Sequence, residues 1–367
     1  MIESYRMFQV SKPLKRRMVN SLYSADTLYI VILELASGKH RGYGYVFSFK
    51  RSHQRALSIM IEDFVSSILG TTLTTPAEIH DRLARGLTNI GDTGLAARAL
   101  SLVDSALWDL AARKAGMPLH RMVGGRRTKI PLYISGGWLD LSEEALIADA
   151  ISCRERGYAA YKFKITSGDN AYYEKRVAAV RKAVGDDIEL MVDANQGFSF
   201  DEAWDMAQRL EDYGVSWFEE PFPVYEVDTY RALHDIASVR ISAGETLYLK
   251  REAAPFLRNH AVDVYTPDLA RTAGPTEFLR ITELAEQEGI LISSHWFTEI
   301  SAHLAARCKD CCALEYVEDI WDEFFSERPR IRDGCILLSD APGTGLALDE
   351  DALMYYKTRD DFSPRGV

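Results

Sequence analysis

The segment IELMVDANQGFSFDEAWDMAQRLEDYGVSWFEEP, from Ile188 to Pro221, joins two apolar runs through one amphipathic stretch. The runs IELMV and SWF have the length and the apolar and aromatic content of short buried strands. Between them, FDEAWDMAQRLEDYG repeats apolar residues at helical spacing and ends at Gly214, where a helix stops readily. Strands joined through a helix in this way lie parallel in one sheet. The segment therefore predicts one strand–helix–strand unit.

The same alternation continues on both sides of this segment, from Lys129 to about Ile320. Further strand candidates are IPLYIS, AAYKFKI, RISAGE, VDVYTPD, ILISSH and CALEYVE, and helical stretches such as YYEKRVAAVRKAVG and PTEFLRITELAEQEG lie among them. With the two strands above, these make eight strands, and eight parallel strands with intervening helices predict a closed (β/α) barrel. An open, doubly wound sheet is the alternative that the pattern alone leaves.

Two other regions flank the predicted barrel. Residues 1–125 begin with the strand patterns SYRMFQV, TLYIVILELASG and RGYGYVFSF, and helical periodicity follows from Gln54 to a stop at Gly116. We predict an α+β domain there, a barrel domain over residues 126–320, and a C-terminal segment over residues 321–367 with a hairpin-like stretch, PRIRDGCILL. No long Gly/Ser linker separates these regions, so we expect them to pack against one another.

The composition excludes several classes of function. The 367 residues carry a formal net charge of −11, which argues against nucleic acid or an anionic membrane as the main partner. No apolar run has transmembrane length, and MIESYRMFQV lacks the apolar core of a signal peptide, so we expect a cytoplasmic protein. The stretch CKDCC, from Cys308, holds only half of a zinc-site pattern and predicts ordinary free thiols. A small anionic substrate would need local cations to attract it.

Charged residues stand at the C-terminal ends of the predicted barrel strands, where the active site of such a barrel lies. They are Lys162, Lys164, Asp193, Glu219, Glu245, Asp268, His295 and Glu315. From Asp193 to His295, each residue follows the one before it by about the length of one βα unit. Successive strands would bring these side chains to one mouth, and unrelated surface charges have no reason to keep that spacing.

Three of these residues, Asp193, Glu219 and Glu245, are carboxylates from neighbouring strands. Three ionised acids cannot lie close together without a cation, and carboxylate oxygens without Cys or His suit Mg²⁺. The alternative for each acid is a cap on the following helix, but capping does not require consecutive strands. Glu220 would point to the opposite face of its strand. The spacing therefore predicts a magnesium site in which Glu219, rather than Glu220, is a ligand.

The stretch YKFKI, from Tyr161 to Ile165, places Lys162 and Lys164 on the same face of one strand. Two neighbouring ammonium groups repel each other, and burying them is costly without compensation. Lys162 and the metal would together lower the pKa of Lys164 from about 10.4 toward the ~7–8 that suits a general base. The metal would bind a substrate carboxylate and hold the enediolate that forms when the α-proton leaves.

Asp268 and His295 end consecutive predicted strands. A carboxylate beside an imidazole fixes its tautomer and raises its basicity, so we predict a dyad that takes a proton, although a single His in such a place is often only a satisfied polar residue. Glu315, on the last strand, would hydrogen-bond the developing oxyanion if it stays protonated. Lys164 and His295 would enter from opposite sides of the mouth. That arrangement serves racemisation, or removal of a proton on one side and of a leaving group on the other.

Motifs along nearly the whole chain resemble the mandelate racemase subgroup of the enolase superfamily. They are VDSALWDLAARKAGMPLHRMVGG, YKFKI, MVDANQ, WFEEP, SAGE, PDLARTAG, SSHWFTEISAHLA and PGTGL. The resemblance implies an α+β capping domain on a (β/α)7β barrel, with the C-terminal tail returning to the cap, and it implies a homo-oligomer. It also implies that Lys164 is the second lysine of a K-x-K base, and it agrees with the roles given above to the magnesium ligands, the dyad and Glu315.

The resemblance leaves the reaction open, because the subgroup contains mandelate racemase as well as dehydratases of talarate/galactarate, fuconate and tartrate. Muconate-lactonising and dipeptide-epimerase relatives carry a lysine where this chain has Asp268, and glucarate-dehydratase relatives carry an Asn where it has Glu245. We expect dehydration of an aldonic or aldaric acid, such as galactarate or talarate, to a 2-keto-3-deoxy acid. The alternatives are racemisation or epimerisation of a 2-hydroxy acid and, more remotely, a binding protein without catalysis.

The loops of the capping domain are expected to select the substrate. The stretch SKPLKRRMVNSLYSAD, from Ser11, is rich in cations and polar groups that suit hydroxyls and a distal carboxylate, although the same cations would also occur on a merely solvated loop. Its Met18, Leu22 and Tyr23 leave an apolar alternative open. The stretch GYVFSFK, from Gly44, is expected to form a second cap loop that brings Phe47 and Phe49 near the site. The residues that we predict to contact the substrate are Arg16, Arg17, Asn20, Phe47, Ser135 and Asn195.

Overall fold

The computed structural model describes residues 1–72, 74–328 and 330–358 of the chain. Its N-terminal part is an antiparallel sheet of three strands, which helices cover. The elements are β1 (Ser4–Val19), β2 (Ser24–Ser37), β3 (His40–Ser48), α1 (Arg51–Ile68), α2 (Pro76–Gly86) and α3 (Leu95–Ala115). Three strands followed by helices is the order that the sequence predicts.

The first strand is longer than the pattern SYRMFQV predicts. It pairs with β2 up to Val19, which lies opposite Ser24, and its register shifts between Pro13 and Met18. Residues between these two positions have no partner on β2, which bends the strand. Most of the segment expected to be a cap loop is therefore strand, and the loop itself shrinks to residues 20–23.

Helix α3 joins the cap sheet to the barrel. Gly42 and Gly44 of β3 pack on it, and a Cβ at Gly44 would overlap the carbonyl oxygen of Leu102, so this close approach requires glycine. Toward the barrel, Asp104 accepts hydrogen bonds from the backbone N–H and the hydroxyl of Thr276 at 2.7 and 2.9 Å. Burial raises the pKa of Asp104 to about 6. The helix is thus fixed to both parts of the molecule.

A closed barrel of eight parallel strands forms the second part of the molecule, as the sequence predicts. Its strands are β4 (Lys129–Ser135), β5 (Ala160–Lys164), β6 (Glu189–Asp193), β7 (Val215–Glu219), β8 (Arg240–Ala243), β9 (Val264–Tyr265), β10 (Leu291–Ile292) and β11 (Leu314–Tyr316). From β4 to β10 each strand is hydrogen-bonded to the next in chain order. Strand β11 then pairs with β4, and Ile292 forms a parallel bridge with Cys311, which closes the ring.

Seven helices alternate with these strands, which makes the fold (β/α)7β. They are α5 (Glu143–Glu155), α6 (Asn170–Val184), α7 (Phe200–Glu211), α8 (Val227–His234), α9 (Lys250–Arg258), α10 (Pro275–Gln287) and α11 (Thr298–Ala305). A short helix, α4 (Leu119–Met122), connects the cap to β4. The helices cover the outside of the barrel and leave the C-terminal ends of the strands facing the cap.

The barrel interior and the layer under its helices bury separate sets of apolar side chains. Inside, Tyr133 and Trp217 meet edge to face, with ring centroids 5.4 Å apart. The larger cluster fills the space between strands and helices and includes Phe163 of β5. Because side chains alternate along a strand, Lys162 and Lys164 point to the inside instead. The two lysines therefore lie near the aromatic rings inside the barrel, and Lys162 Nζ is 5.3 Å from the centroid of the Tyr133 ring.

The C-terminal residues touch both the barrel and the cap. A 3₁₀ turn (Asp322–Phe324) precedes β12 (Phe325–Glu327), β13 (Arg330–Arg332), β14 (Cys335–Leu337), β15 (Ala347–Leu348) and α12 (Glu350–Tyr355). Strands β13 and β14 form the predicted hairpin, and β14 pairs antiparallel with β4. After α12 the tail returns to the cap, where Ser11 N–H donates to Tyr356 O at 2.9 Å and Thr358 N–H donates to Gln9 O at 2.8 Å. Among the described residues, no helix has the length and apolar character needed to cross a membrane.

Candidate active site

Three carboxylates meet at the C-terminal ends of β6, β7 and β8. Asp193 and Glu219 end the first two strands and lie opposite each other in the parallel ladder, and Glu245 follows the last residue of β8 by two positions. One oxygen of each carboxylate lies within 4.8 Å of the others, and all three side chains are buried. The register of neighbouring strands thus brings together the three acids that the spacing singled out.

These three carboxylates fit a divalent cation. Their donor atoms are hard oxygens, and Glu245 Oε2 is buried without a hydrogen-bond partner among the described residues. Burial raises the pKa of Glu219 to about 8, an effect that Lys162 opposes and the neighbouring acids reinforce. Burial also favours the neutral form of Asp193, but its ion pairs with Lys164 and Lys162 prevail and lower its pKa. A bound cation would relieve the repulsion that remains among the acids.

Lys162 and Lys164 approach the carboxylates from the barrel interior. Lys162 Nζ lies 2.5 Å from Glu219 Oε1 and 3.1 Å from Glu315 Oε1, and Lys164 forms a close ion pair with Asp193. Burial by itself lowers the pKa of each lysine, but these carboxylates outweigh it and raise the pKa of both. The groups of the chain therefore do not produce the predicted lowering of the Lys164 pKa. That lowering stays a prediction, which depends on a cation taking up the charge of Asp193.

His295 and Asp268 lie side by side, in an isolated parallel bridge after β9 and β10. Nδ1 of His295 is 2.6 Å from Asp268 Oδ2, and Nε2 faces the carboxylates, 3.4 Å from Glu245 Oε2 and 3.8 Å from Glu315 Oε2. Burial lowers the pKa of His295, but the three acids outweigh it, so this pKa is raised. Burial favours the neutral form of Asp268, but the bond to His295 lowers its pKa to about 2. The imidazole is thus oriented through Nδ1, with Nε2 turned toward the acidic triad, and the raised pKa favours its protonated form.

Glu315, on β11, faces the same space. Its Oε2 accepts the N–H of Trp296 at 3.1 Å, and the nearby side chain of Ser135 helps to lower its pKa. A contact of Ser135 with a substrate stays a prediction. Burial favours the neutral acid, but Lys162 and His295 outweigh it and lower the pKa of Glu315. The expectation that Glu315 stays protonated is therefore wrong for the groups of this chain, because an ammonium group 3.1 Å away stabilises the carboxylate.

Arg16 and Arg17 do not line the cavity above these residues. They lie where the register of β1 shifts, largely exposed, and their guanidiniums contact Asp149 at 3.3 Å and Asp140 at 3.1 Å. Both acids belong to the barrel domain, so these pairs tether the cap to the barrel. The prediction that the two arginines contact the substrate is corrected accordingly, because a strand replaces the expected loop and turns them to the surface.

Asn20 and Asn195 lie in buried positions near the acidic triad. The Oδ1 of Asn20 accepts the N–H groups of Leu22 and Tyr23, both at 2.9 Å, and thereby shapes the short loop of the cap. The N–H of Asn195 donates to Asp193 Oδ1 at 2.9 Å. Among the described residues, Nδ2 of Asn20 and Oδ1 of Asn195 are buried without a hydrogen-bond partner. A contact of these two amides with a substrate stays a prediction.

A cavity of about 370 Å³ opens above His295, between the cap and the barrel. One side of it, here named the aromatic wall, consists of Tyr23, Phe47, Phe49 and Trp296. The ring centroids of Tyr23 and Phe49 are 4.5 Å apart, and Phe47 stacks on Trp296 at 4.5 Å. Burial raises the pKa of Tyr23 to about 12. The predicted contribution of Phe47 and Phe49 to the cavity is thus present, and the rings of Tyr23 and Trp296 accompany them.

Arg98, Tyr248 and Arg271 also line this cavity, although none of them was predicted from the sequence. Arg271 lies three residues after Asp268 in PDLARTAG, so its closeness to a strand end was a usable signal. Arg98 lies near the start of α3. Nothing in the helical pattern shows that this end of α3 reaches the mouth of the barrel, because that depends on how the two domains pack.

Family models match both parts of the chain. The mandelate racemase / muconate lactonizing enzyme N-terminal domain matches residues 2–124, and the enolase C-terminal domain-like family matches residues 145–352. The L-talarate/galactarate dehydratase of Salmonella typhimurium strain LT2 is 31% identical over 338 residues, which are 92% of this chain and 84% of that enzyme.

Two solved structures are similar over nearly the whole chain. A racemase from Streptomyces coelicolor A3(2) with bound magnesium has a TM-score of 0.93 at 26% identity, over 98% of this chain and 100% of that chain. L-Talarate dehydratase from Polaromonas sp. JS666, complexed with Mg and L-glucarate, has a TM-score of 0.91 at 30% identity, over 98% and 97% of the two chains. Proteins with this fold thus include a racemase and a dehydratase.

Proposed function

Because the chain belongs to the mandelate racemase subgroup of the enolase superfamily, we propose that it is a Mg²⁺-dependent enzyme that removes the α-proton of a small carboxylate substrate. The observation that carries the proposal is the convergence of two different proton-transfer groups on one acidic triad. Lys164 of β5 pairs with Asp193, and Nε2 of His295, after β10, lies 3.4 Å from Glu245 Oε2. Both solved structures described above contain magnesium.

The ion would be held by Asp193, Glu219 and Glu245. When bound, Mg²⁺ attracts the substrate carboxylate and withdraws electron density from it, which acidifies the neighbouring C–H group. Lys162, whose pKa is raised, stays charged beside this position and stabilises the negative charge that develops. The indole N–H of Trp217 donates to Glu219 Oε2 at 2.8 Å and keeps that carboxylate oriented.

We propose that the reaction is the dehydration of an acid sugar. Lys164, as the free base, takes the α-proton, and the electrons of the C–H bond form the enediolate. His295 donates the proton on Nε2 to the β-hydroxyl, so the C–O bond breaks and water leaves. The resulting enol takes a proton at carbon 3 and becomes a 2-keto-3-deoxy acid. The raised pKa of His295, and the similarity to L-talarate/galactarate dehydratase over 92% of the chain, support this reaction.

Racemisation or epimerisation of a 2-hydroxy acid is the second candidate, and the aromatic wall favours it. Four aromatic side chains offer an apolar surface that a polyhydroxylated substrate does not need. The similar fold of the Streptomyces coelicolor racemase also supports it. In this reaction no C–O bond breaks. One of Lys164 and His295 removes the α-proton, and the other returns a proton to the opposite face of the same carbon.

Incubation of the Mg²⁺-loaded protein in D₂O with aldonic acids, aldaric acids and simple 2-hydroxy acids separates the two reactions. Dehydration produces a 2-keto acid, which is trapped as its semicarbazone and measured by absorbance. Racemisation produces α-deuterated substrate of inverted configuration and no keto acid. If every acid returns unchanged and without deuterium, the proposed removal of an α-proton is wrong.

A further inference from the structure

Two arginines from different domains line the cavity next to His295. Arg98 lies near the start of α3 in the cap, and Arg271 follows β9 of the barrel. Hydrogen bonds hold both in place. Arg98 Nη1 donates to the carbonyl oxygen of Phe47 at 3.2 Å, and Arg271 Nη1 donates to the carbonyl oxygen of Glu245 at 2.5 Å. These acceptors are neutral, so they orient the guanidiniums without forming ion pairs with them. Asp268 acts electrostatically on both guanidiniums, and Glu245 and Glu220 act on Arg271, but only from beyond ion-pair distance.

Neither guanidinium has a carboxylate partner in the part of the chain that the structure describes. There, no carboxylate oxygen lies within 4.0 Å of a side-chain nitrogen of Arg98 or Arg271. Arg251, which lies on the surface, does have such a partner, since it contacts Asp92 at 2.6 Å. A guanidinium has five N–H donors, and the neutral acceptors use only part of this capacity. The remaining donors are available to a ligand in the cavity.

The start of α3 adds positive potential at the same place. Gly94 and Leu95 line the cavity together with Arg98. The helix has no side-chain cap and no acidic residue in its first turn, so its first N–H groups and the positive end of its dipole are not compensated there. Two guanidiniums and one helix end therefore make a cationic side of the cavity, separate from the lysines at the acidic triad.

We propose that Arg98 and Arg271 bind a second anionic group of the substrate, a carboxylate at the end distal to the acidic triad. A carboxylate matches the fork of donors on a guanidinium, and its charge removes the repulsion between two neighbouring cations. The substrate is then a 2-hydroxy dicarboxylate rather than a monocarboxylate. This inference rests on the proposed function for one point, the position of the first carboxylate at the metal site.

Matched pairs of 2-hydroxy acids test the inference. We compare 2-hydroxyglutarate with 2-hydroxyvalerate, and 2-hydroxyadipate with 2-hydroxyhexanoate, because the members of a pair differ only in a terminal carboxylate or methyl group. None of them has a 3-hydroxyl group, so none can be dehydrated. Calorimetry with Mg²⁺ measures the Kd, and α-proton exchange in D₂O measures the chemistry separately. In at least one pair, we expect the diacid to bind about 10- to 100-fold more tightly than the monoacid, because hydrogen bonds to charged groups contribute a binding free energy of that size.

Variants assign that preference to the arginines. Arg98→Gln should reduce the preference for the diacid at least about tenfold, and Arg98→Lys should keep part of it, because lysine retains the charge without the fork. Arg251→Gln is the matched control, since it removes the same kind of cation from a surface ion pair, and it should leave the preference unchanged. Circular dichroism checks that each variant folds, and the comparison in the unmodified protein does not depend on any variant.

The outcomes separate this inference from the proposed function. Equal affinities within both pairs, or a preference that Arg98→Gln leaves intact, would overturn the inference. Tighter binding of 2-hydroxy-4-phosphobutanoate than of 2-hydroxyglutarate would show that the second group is a phosphate, and the assignment to a carboxylate would be wrong. Exchange that fails with every acid, together with a preference that depends on Arg98, would refute the α-proton chemistry and leave the dicarboxylate site standing.

Discussion

The floor and the wall of the cavity are built in different ways. The floor consists of the charged residues at the barrel strand ends, and there Lys164 lies opposite Asp193, and Asp193 opposite Glu219, in one hydrogen-bonded ladder. The wall consists of the four aromatic residues Tyr23, Phe47, Phe49 and Trp296 together with Arg98 and Arg271. Most of these residues belong to the cap. Backbone register therefore positions the chemistry of the floor, whereas the packing of two domains positions the groups that surround the substrate.

The two regions also differ in how their charges are satisfied. On the floor, charges pair with one another, as Lys162 does with Glu315 at 3.1 Å. On the wall, Arg98 and Arg271 donate to neutral carbonyls and, within the described residues, form no ion pair. Removing one partner on the floor leaves a buried charge unpaired, which is strongly destabilising. The wall is instead arranged for a charge that arrives with the ligand.

The largest effect is expected from removal of one metal ligand on the floor. Glu219→Gln should lower kcat at least about 10³-fold, because the amide supplies no charge to the ion and leaves Lys162 without its nearest partner. Steady-state kinetics measures the loss, and circular dichroism checks that the destabilised variant is still folded under the assay conditions. Glu211→Gln, at the exposed end of α7, is the control. Treatment with EDTA should also stop turnover, and full turnover by the metal-free protein would show that the triad holds no required metal.

The pairing on the floor also predicts a pH-dependent stability. Burial lowers the pKa of His295, but neighbouring carboxylates raise it above the ordinary value of about 6.5. The charged imidazole therefore stabilises the fold fully below that pH, and this contribution is lost as the pH rises through the raised pKa. In EDTA, the difference in the free energy of unfolding between the unmodified protein and His295→Gln should shrink from about pH 6 to about pH 9. Urea titrations measure it, and a difference that grows with pH would contradict the pairing.

A change in the wall should alter the choice of substrate more than the chemistry. The ring of Phe49 lies 4.5 Å from that of Tyr23 and 6.5 Å from that of Trp296. Phe49→Ala should therefore change the ratio of kcat/KM between an aromatic 2-hydroxy acid and an acid sugar by about tenfold, mainly through KM. Steady-state kinetics on both substrates measures the ratio. An equal loss of kcat with every substrate would show that Phe49 supports the chemistry rather than the choice of substrate.

The smallest effect is expected for the arginines on β1. Combined replacement of Arg16 and Arg17 by Ala should leave relative kcat/KM values across an acid-sugar panel within about twofold, because their guanidiniums contact surface acids. Each exposed pair contributes at most about 1 kcal/mol to the free energy of unfolding. Thermal unfolding measures that cost. A change in relative kcat/KM above about tenfold would show that Arg16 and Arg17 help to select the substrate after all.

The floor was accessible to sequence reasoning because strand periodicity is a local property. Alternation along YKFKI puts Lys162 and Lys164 on one face, and the βα repeat brings Asp193 and its neighbours to the same edge. The sequence could not show which of these side chains are protonated. Glu315 was expected to be neutral, but its pKa depends on a distance of 3.1 Å to Lys162 that no spacing reveals.

The wall was less accessible, because each of its groups depends on long-range packing. Arg16 and Arg17 were assigned to a loop, but β1 continues through them to pair with β2 again from Met18, and their guanidiniums contact surface acids. Arg98 carries no local signal. Its position follows from α3, which Gly44 allows to approach the cap sheet and which Asp104 fastens to the barrel. Tertiary contacts of this kind cannot be predicted from the periodicity of any one segment.

The most direct test of the central claim, that two bases flank one carbon, is ¹H–²H exchange at the α-carbon in D₂O. It is measured on both epimers of an active substrate with Lys164→Ala and with His295→Asn. Each variant should lose exchange with the epimer whose α-proton faces the missing base and keep part of the exchange with the other epimer, and His295→Asn should also stop dehydration. If both variants lose exchange with every epimer, or if both continue to dehydrate, the assignment of two opposing bases is wrong.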